Sequence, residues 1–190
     1  MKLLEDRILS DGKVLPGGIL KVGSFLNQQI DTALLREMAL ELHRLYGGEG
    51  VNKILTIEAS GIAIAAVTGL VFGCPMVFAK KSKTKNISGE VWSAEVESFT
   101  HGNTSTVVVA KDYLGADDRV LIVDDFLATG AALVGLRSLC EQAGATVVGA
   151  GIAIEKVFQG GGDALRAQGL RVESLAKIAR MSDDGLTFCQ

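Results

Sequence analysis

An apolar run that ends in two adjacent carboxylates and then in a string of small residues is where this 190-residue chain concentrates its chemistry. The stretch reads Val120-Leu121-Ile122-Val123-Asp124-Asp125-Phe126-Leu127-Ala128-Thr129-Gly130-Ala131-Ala132. Asp124 and Asp125 fall at the carboxyl end of a buried strand, the place where open α/β sheets bind their ligands. Successive strand side chains point to opposite faces, so paired carboxylates can bracket vicinal hydroxyls such as those of a ribose, or hold a divalent ion indirectly. Ala128, Thr129, Gly130, Ala131 and Ala132 then open a helix, where free N–H groups and the macrodipole favour a phosphate and small side chains leave it unobstructed. The Thr129 hydroxyl adds a donor. The same order also serves plain capping and packing. Position argues for more than that. Asp117-Asp118 repeats the dipeptide but precedes the strand, in Gly115-Ala116-Asp117-Asp118-Arg119, and reads as a turn.

Two further stretches carry chemistry. Glu58-Ala59-Ser60-Gly61 follows an apolar run that ends at Ile57 and offers a second set of helix-terminal donors ahead of Ile62. Lys80-Lys81-Ser82-Lys83-Thr84-Lys85 carries four lysines, charge that either meets an anionic ligand or simply faces water.

The elements that must position these residues alternate between strand and helix. Val51–Ile57, Pro75–Ala79, Thr106–Ala110, Val120–Val123, Val147–Ile154 and Val172–Ala176 are short runs rich in Val and Ile, as buried strands are. A helix starts at Asp31, with Leu34, Leu35, Met38, Leu42 and Leu45 on one stripe, and ends at Gly47-Gly48. Ile62–Val71 and Ala131–Gln142 are two more, closed near Gly73 and at Ala143-Gly144. The pattern predicts an α/β fold with a mainly parallel central sheet flanked by helices. The polar stretch from Lys80 to Ser105 breaks the rhythm and reads as a mobile loop followed by a hairpin.

A 48% hydrophobic content over this length supports one well-buried core, so residues 1–190 are expected to form a single domain. The net charge of −3 gives no basic field for nucleic acid or anionic membranes, which leaves a small molecule as the expected partner. Met1-Lys2-Leu3-Leu4-Glu5-Asp6-Arg7 has neither the apolar run of a signal peptide nor that of a membrane span, and a cytoplasmic location is expected. Cys74, Cys140 and Cys189 are odd in number and widely spaced, which predicts inert thiols and neither a disulfide framework nor a zinc site.

The apolar run, Asp124-Asp125 and Ala128-Thr129-Gly130 together resemble the signature of the type I phosphoribosyltransferases. The resemblance extends along the whole chain. It implies that Asp124 and Asp125 hold the ribose hydroxyls of 5-phosphoribosyl 1-diphosphate (PRPP), and that Ala128 to Ala132 hold its 5-phosphate. Glu58-Ala59-Ser60-Gly61 resembles the family's pyrophosphate loop, with Ala59, Ser60, Gly61 and Lys81 the implied contacts. The lysine-rich stretch matches the start of its flexible catalytic loop, departing from the pattern at Lys80, where arginine is expected. A small hood from the N-terminal segment, Mg²⁺ carried by PRPP with no strong protein site for it, and a homodimer are also implied.

Two segments narrow the resemblance to members that take xanthine: Gly18–Asp31 and Gly151–Gln159. Leu20 is then expected to pack on the purine, with Asn27 and Lys156 at its polar edge. A donor-only ammonium at Lys156 suits the carbonyl oxygens of an oxopurine and repels the exocyclic amine of adenine. A surface lysine is its plain alternative. The expected reaction joins xanthine to the ribose phosphate of PRPP, giving xanthosine 5′-monophosphate and diphosphate. The rival readings are an adenine or hypoxanthine-guanine transferase and a non-catalytic regulator that binds PRPP.

Overall fold

The computed structural model describes residues 1–81, 89–97, 104–182 and 185–189. Helix α1 (Lys2–Asp11) leads to a small hairpin, β1 (Lys13–Leu15) and β2 (Ile19–Lys21), and a π-helical turn at Gly23–Asn27. Helix α2 (Thr32–Tyr46), β3 (Lys53–Ile57), α3 (Gly61–Phe72) and β4 (Met76–Ala79) follow. A second hairpin, β5 (Val91–Glu97) and β6 (Thr104–Ala110), precedes β7 (Arg119–Leu127), α4 (Ala131–Ala143) and β8 (Thr146–Lys156). Helix α5 (Gly161–Ala167), β9 (Val172–Ser182) and β10 (Gly185–Phe188) complete the order.

The central sheet has six strands in the order β10-β9-β8-β7-β3-β4. Its pairs are parallel except β10, which runs antiparallel to β9 at one edge. Strand β7 lies in the middle and shows why the sheet is buried on both sides. Leu121 and Val123 join a core with Leu35, Met38 and Ile64 from α2 and α3, whereas Val120 and Ile122 join another with Leu133, Leu136 and Leu139 from α4. Fully burying each such side chain stabilises the fold by about 1.5–3 kcal/mol. The predicted α/β architecture with a mainly parallel sheet is therefore the observed one.

Local signals set most boundaries. Asp31 caps α2 by accepting a hydrogen bond from Leu34 N at 3.0 Å, an arrangement worth about 1 kcal/mol. Gly144 ends α4 in the left-handed conformation at φ 73°. The predicted strand Val120–Val123 is longer than expected, because β7 stays paired with β8 as far as Leu127 opposite Glu155. Asp124 and Asp125 consequently lie within the strand and not just past it. The expected strand Thr106–Ala110 is not part of the central sheet: it makes up most of β6, which pairs antiparallel with β5, so the hairpin reaches past Ser105, and Lys80 bridges onto Val108. Residues 82–88, on which the mobile-loop expectation falls, lie outside the described residues. Among the described residues no helix is long and apolar enough to cross a membrane.

Candidate active site

A cavity of about 400 Å³ opens at the carboxyl ends of β3 and β7. Asp124 and Asp125 form part of its wall, followed by Phe126, Leu127 and the whole turn Ala128–Ala132. Glu58, Ser60 and Lys81 complete the opposite side, and Val96, Ser105 and Val107 of the β5–β6 hairpin cover it. The long β7 delivers the carboxylates, and Gly130 turns the chain sharply into α4. Its φ of 89° lies in the left-handed region, where a side chain is strained and glycine is not.

Asp125 is the best-anchored group in the site. Its Oδ1 accepts from Ser60 Oγ at 3.1 Å and its Oδ2 from Asn27 Nδ2 at 3.1 Å. Ser60 precedes α3 but does not cap it with its side chain; the hydroxyl is spent on Asp125 instead. Asp124 Oδ1 accepts from the Asp125 backbone N at 3.0 Å. Burial, and then the neighbouring charge of Asp125, push the Asp124 carboxyl well above its ordinary range. Glu58 Oε1 accepts from Lys81 N at 2.7 Å, tying the turn before α3 to the segment after β4.

Ala59 and Gly61 sit differently from their neighbours. Neither lines the cavity: Ala59 is exposed, and Gly61 is buried behind Asp124. A Cβ on Gly61 would run into Thr56 Oγ1 and approach Asp124 Oδ1 to 2.7 Å. Glycine at this position is a condition for packing α3 against the acid pair. Thr56 Oγ1 is itself buried and has no hydrogen-bond partner among the described residues. The Glu58–Ala59 peptide bond is cis.

Of the residues expected at a base, Asn27 and Lys156 contact residues of the cavity wall, Asp125 and Phe126, whereas Leu20 is not among the wall residues. Lys156 Nζ sits 5.7 Å from the centre of the Phe126 ring and donates to Gly18 O, in the turn of the β1–β2 hairpin, at 2.9 Å. Partial burial lowers the Lys156 pKa. Leu20, opposite Val14 in that hairpin, is buried in the core with Val22 and Phe25. The N-terminal segment therefore reaches over the ends of β7 and β8 through Gly18 and Asn27, as a small hood does. Phe126 and Glu58 escaped the sequence reasoning. An aromatic directly after the acid pair is the signal that singles out Phe126; Glu58 gave no signal beyond its place in the turn.

Comparison with known proteins agrees with this geometry. The family model described as phosphoribosyl transferase domain matches residues 21–161. A protein of Finegoldia magna named xanthine phosphoribosyltransferase is 52% identical over 188 residues, covering 99% of each chain. One of the same name from Ruminiclostridium cellulolyticum is 49% identical over 190 residues and covers all of both chains. Among solved structures, a Giardia lamblia adenine phosphoribosyltransferase superposes with a TM-score of 0.79 at 23% identity, over 92% of this chain and 97% of the other. That likeness concerns the fold alone. The chain belongs to the phosphoribosyltransferase family.

Proposed function

We propose that this chain is a purine salvage transferase that joins xanthine to the ribose phosphate of PRPP, yielding xanthosine 5′-monophosphate and diphosphate, with residues 1–190 acting as one phosphoribosyltransferase domain. The observation that carries the reading is the anchoring of Asp125 between Ser60 and Asn27. One carboxylate is thereby fixed by the turn suited to a diphosphate and by the hood suited to a base, so three substrate-facing elements meet at one point. Relatives of the name xanthine phosphoribosyltransferase, about half identical along the whole chain, support xanthine as the base.

In this reading Asp124 and Asp125 hold the ribose hydroxyls, and the N–H groups of Ala128–Ala132 hold the 5-phosphate. Ser60 and Lys81 face the diphosphate, and Gly61 lets α3 approach closely enough to present Ser60. Xanthine lies by Phe126 and Leu20. With Asn27 Nδ2 committed to Asp125, its Oδ1 is left to accept a ring N–H of the base. Lys156 spends one donor on Gly18 O and keeps the others for a carbonyl oxygen.

Diphosphate leaves ribose C1 through an oxocarbenium-like state, and a purine nitrogen bonds to C1. The protein contributes orientation, charge complementarity and exclusion of water, and no single general base is assigned. Two adjacent carboxylates on the cavity wall fit Mg²⁺ held through its water shell. When bound with PRPP, the ion supplies charge neutralisation at the departing diphosphate. Likeness to the family supports a homodimer, and the net charge of −3 argues against a nucleic-acid partner. Replacing both carboxylates (Asp124→Asn with Asp125→Asn) is expected to lower kcat/KM for PRPP at least about 100-fold. Near-normal turnover would remove them from the mechanism.

A further inference from the structure

Behind the turn Ala128–Gly130 lies a polar cluster with no part in the chemistry above. Glu155, next to last in β8, is 1% exposed, and its carboxylate receives a two-pronged bond from one guanidinium. Arg166 Nη1 donates to Oε1 at 2.9 Å and Nη2 to Oε2 at 2.7 Å. Ser174 Oγ of β9 also donates to Oε2, and Arg166 Nε donates to Val172 O at 3.2 Å. Burial pushes the Glu155 pKa up, but Arg166 and Ser174 outweigh it and the carboxyl stays below its usual range.

Arg166 belongs to α5, a helix of seven residues whose buried positions are Gly161, Gly162 and Leu165. One apolar side chain cannot fix the rotation of so short a helix; a planar fork on a planar carboxylate can. At Gly162 a Cβ would run into Glu155 Oε1 and approach Arg166 Nη1 to 2.8 Å. The pair therefore sits flush against the helix backbone.

The start of α5 is pressed just as closely on the turn before α4. Gly161 N donates to Ala128 O at 3.2 Å. A Cβ at Gly161 would run into Ala128 O and the Thr129 carbonyl carbon, and lie 2.6 Å from Gly130 N. From the other side, a Cβ at Gly130 would come within 3.0 Å of Leu165 Cδ1. The segment Ala128-Thr129-Gly130 has little side chain with which to anchor itself. Its shape is imposed from behind.

We propose that Glu155 and Arg166 are positioning residues for the 5-phosphate: their bidentate pair locks α5 in place, and α5, through Gly161, holds the N–H groups of Ala128–Gly130 at the phosphate. This rests on the reading that these N–H groups bind the 5-phosphate. Donors that must meet a substrate without rearranging require such a rigid support.

The test uses two variants of the full chain. Arg166→Lys keeps a charge but loses the fork. Glu155→Met with Arg166→Met removes both charges, so no lone buried charge remains to unfold the protein. Steady-state kinetics are run with PRPP and xanthine varied in turn, beside thermal melting. The expected result for the double variant is a KM for PRPP raised about tenfold with the KM for xanthine unchanged, and a smaller rise for Arg166→Lys. A lesion that only lowers the folded fraction reduces kcat and leaves both KM values in place. That result, or wild-type kinetics in a folded variant, overturns the inference. Should the double variant fail to fold, Arg166→Lys carries the test.

Failure of the functional reading is seen separately, as absence of turnover in the unaltered protein. The inference is then read by calorimetry with ribose 5-phosphate. Weaker binding to the variants supports it, and equal binding overturns it.

Discussion

Asn27 and Asp125, 98 positions apart in sequence, share a 3.1 Å hydrogen bond in which the amide donates to the carboxylate. The bond joins the N-terminal segment, the hood over the base in the proposed reading, to the strand that carries the acid pair. A change at the base side is thereby felt at the sugar side.

Asn27→Ala is accordingly expected to raise the KM for PRPP as well as that for xanthine. Loss of a hydrogen bond to a charged group costs about 1.5–3 kcal/mol, so a 10- to 100-fold fall in kcat/KM is expected, shared between the two substrates. Initial-rate measurements with each substrate varied check this; an effect confined to xanthine would show that Asp125 does not depend on Asn27.

Asp124 holds its proton more tightly in the folded protein than in the unfolded chain, first because it is buried and then because Asp125 is charged. The folded state thus binds more protons, and stability contributed by this group falls as pH rises from the ordinary aspartate range through the raised folded value. Asp124→Asn, which keeps the acceptor for Asp125 N, is expected to melt higher than the parent by about 2 °C or more at neutral pH while losing activity. The gain should vanish in acid below the ordinary aspartate range. A variant that melts lower at pH 7 would contradict the assignment.

In the proposed reading Lys156 selects the base. Lys156→Gln supplies an acceptor where the ammonium supplied only donors, and is expected to lower kcat/KM for xanthine at least about tenfold while narrowing its advantage over adenine. Competition between the two bases for limiting PRPP measures the shift. An unchanged ratio would assign Lys156 to holding Gly18 and nothing more.

Gly61→Ala is expected to destabilise the fold by about 1–3 kcal/mol, because the added methyl meets Thr56 Oγ1 and Asp124 Oδ1. Adding Thr56→Ala removes the nearer obstacle together with a buried hydroxyl that has no partner among the described residues, and should recover part of the loss. Thermal melts of the single and double variants check both statements; simple additivity would contradict the contact.

Five strands of the central sheet, all but the edge strand β10, and the three long helices could be read from the chain because each follows one local rule. Val120–Val123 is apolar at every position, Asp31 is a capping residue, and Leu34, Leu35, Met38 and Leu42 mark a single stripe. Helices α1 and α5 escaped for equally local reasons. Only Leu4 and Ile8 of α1 are buried, too few to set a period, and α5 opens on glycines that favour no helix. In the site, the order Asp124-Asp125 to Ala132 was visible as one continuous segment, whereas the meeting of Asn27, Ser60 and Asp125 needed three separate elements to fold together. Phe126 lies inside that segment, but an aromatic in a buried strand reads as core. The support given by Glu155 and Arg166 depends on close backbone packing, which leaves no pattern along the sequence.

The central claim is tested most directly by following diphosphate release from PRPP and Mg²⁺ with xanthine, hypoxanthine, guanine and adenine offered separately to the purified protein. The account predicts release with xanthine at the highest kcat/KM, and adenine the poorest of the four. Preference for adenine would contradict the roles given to Asn27 and Lys156, and silence with all four bases, with PRPP still bound, would contradict the assignment as a transferase.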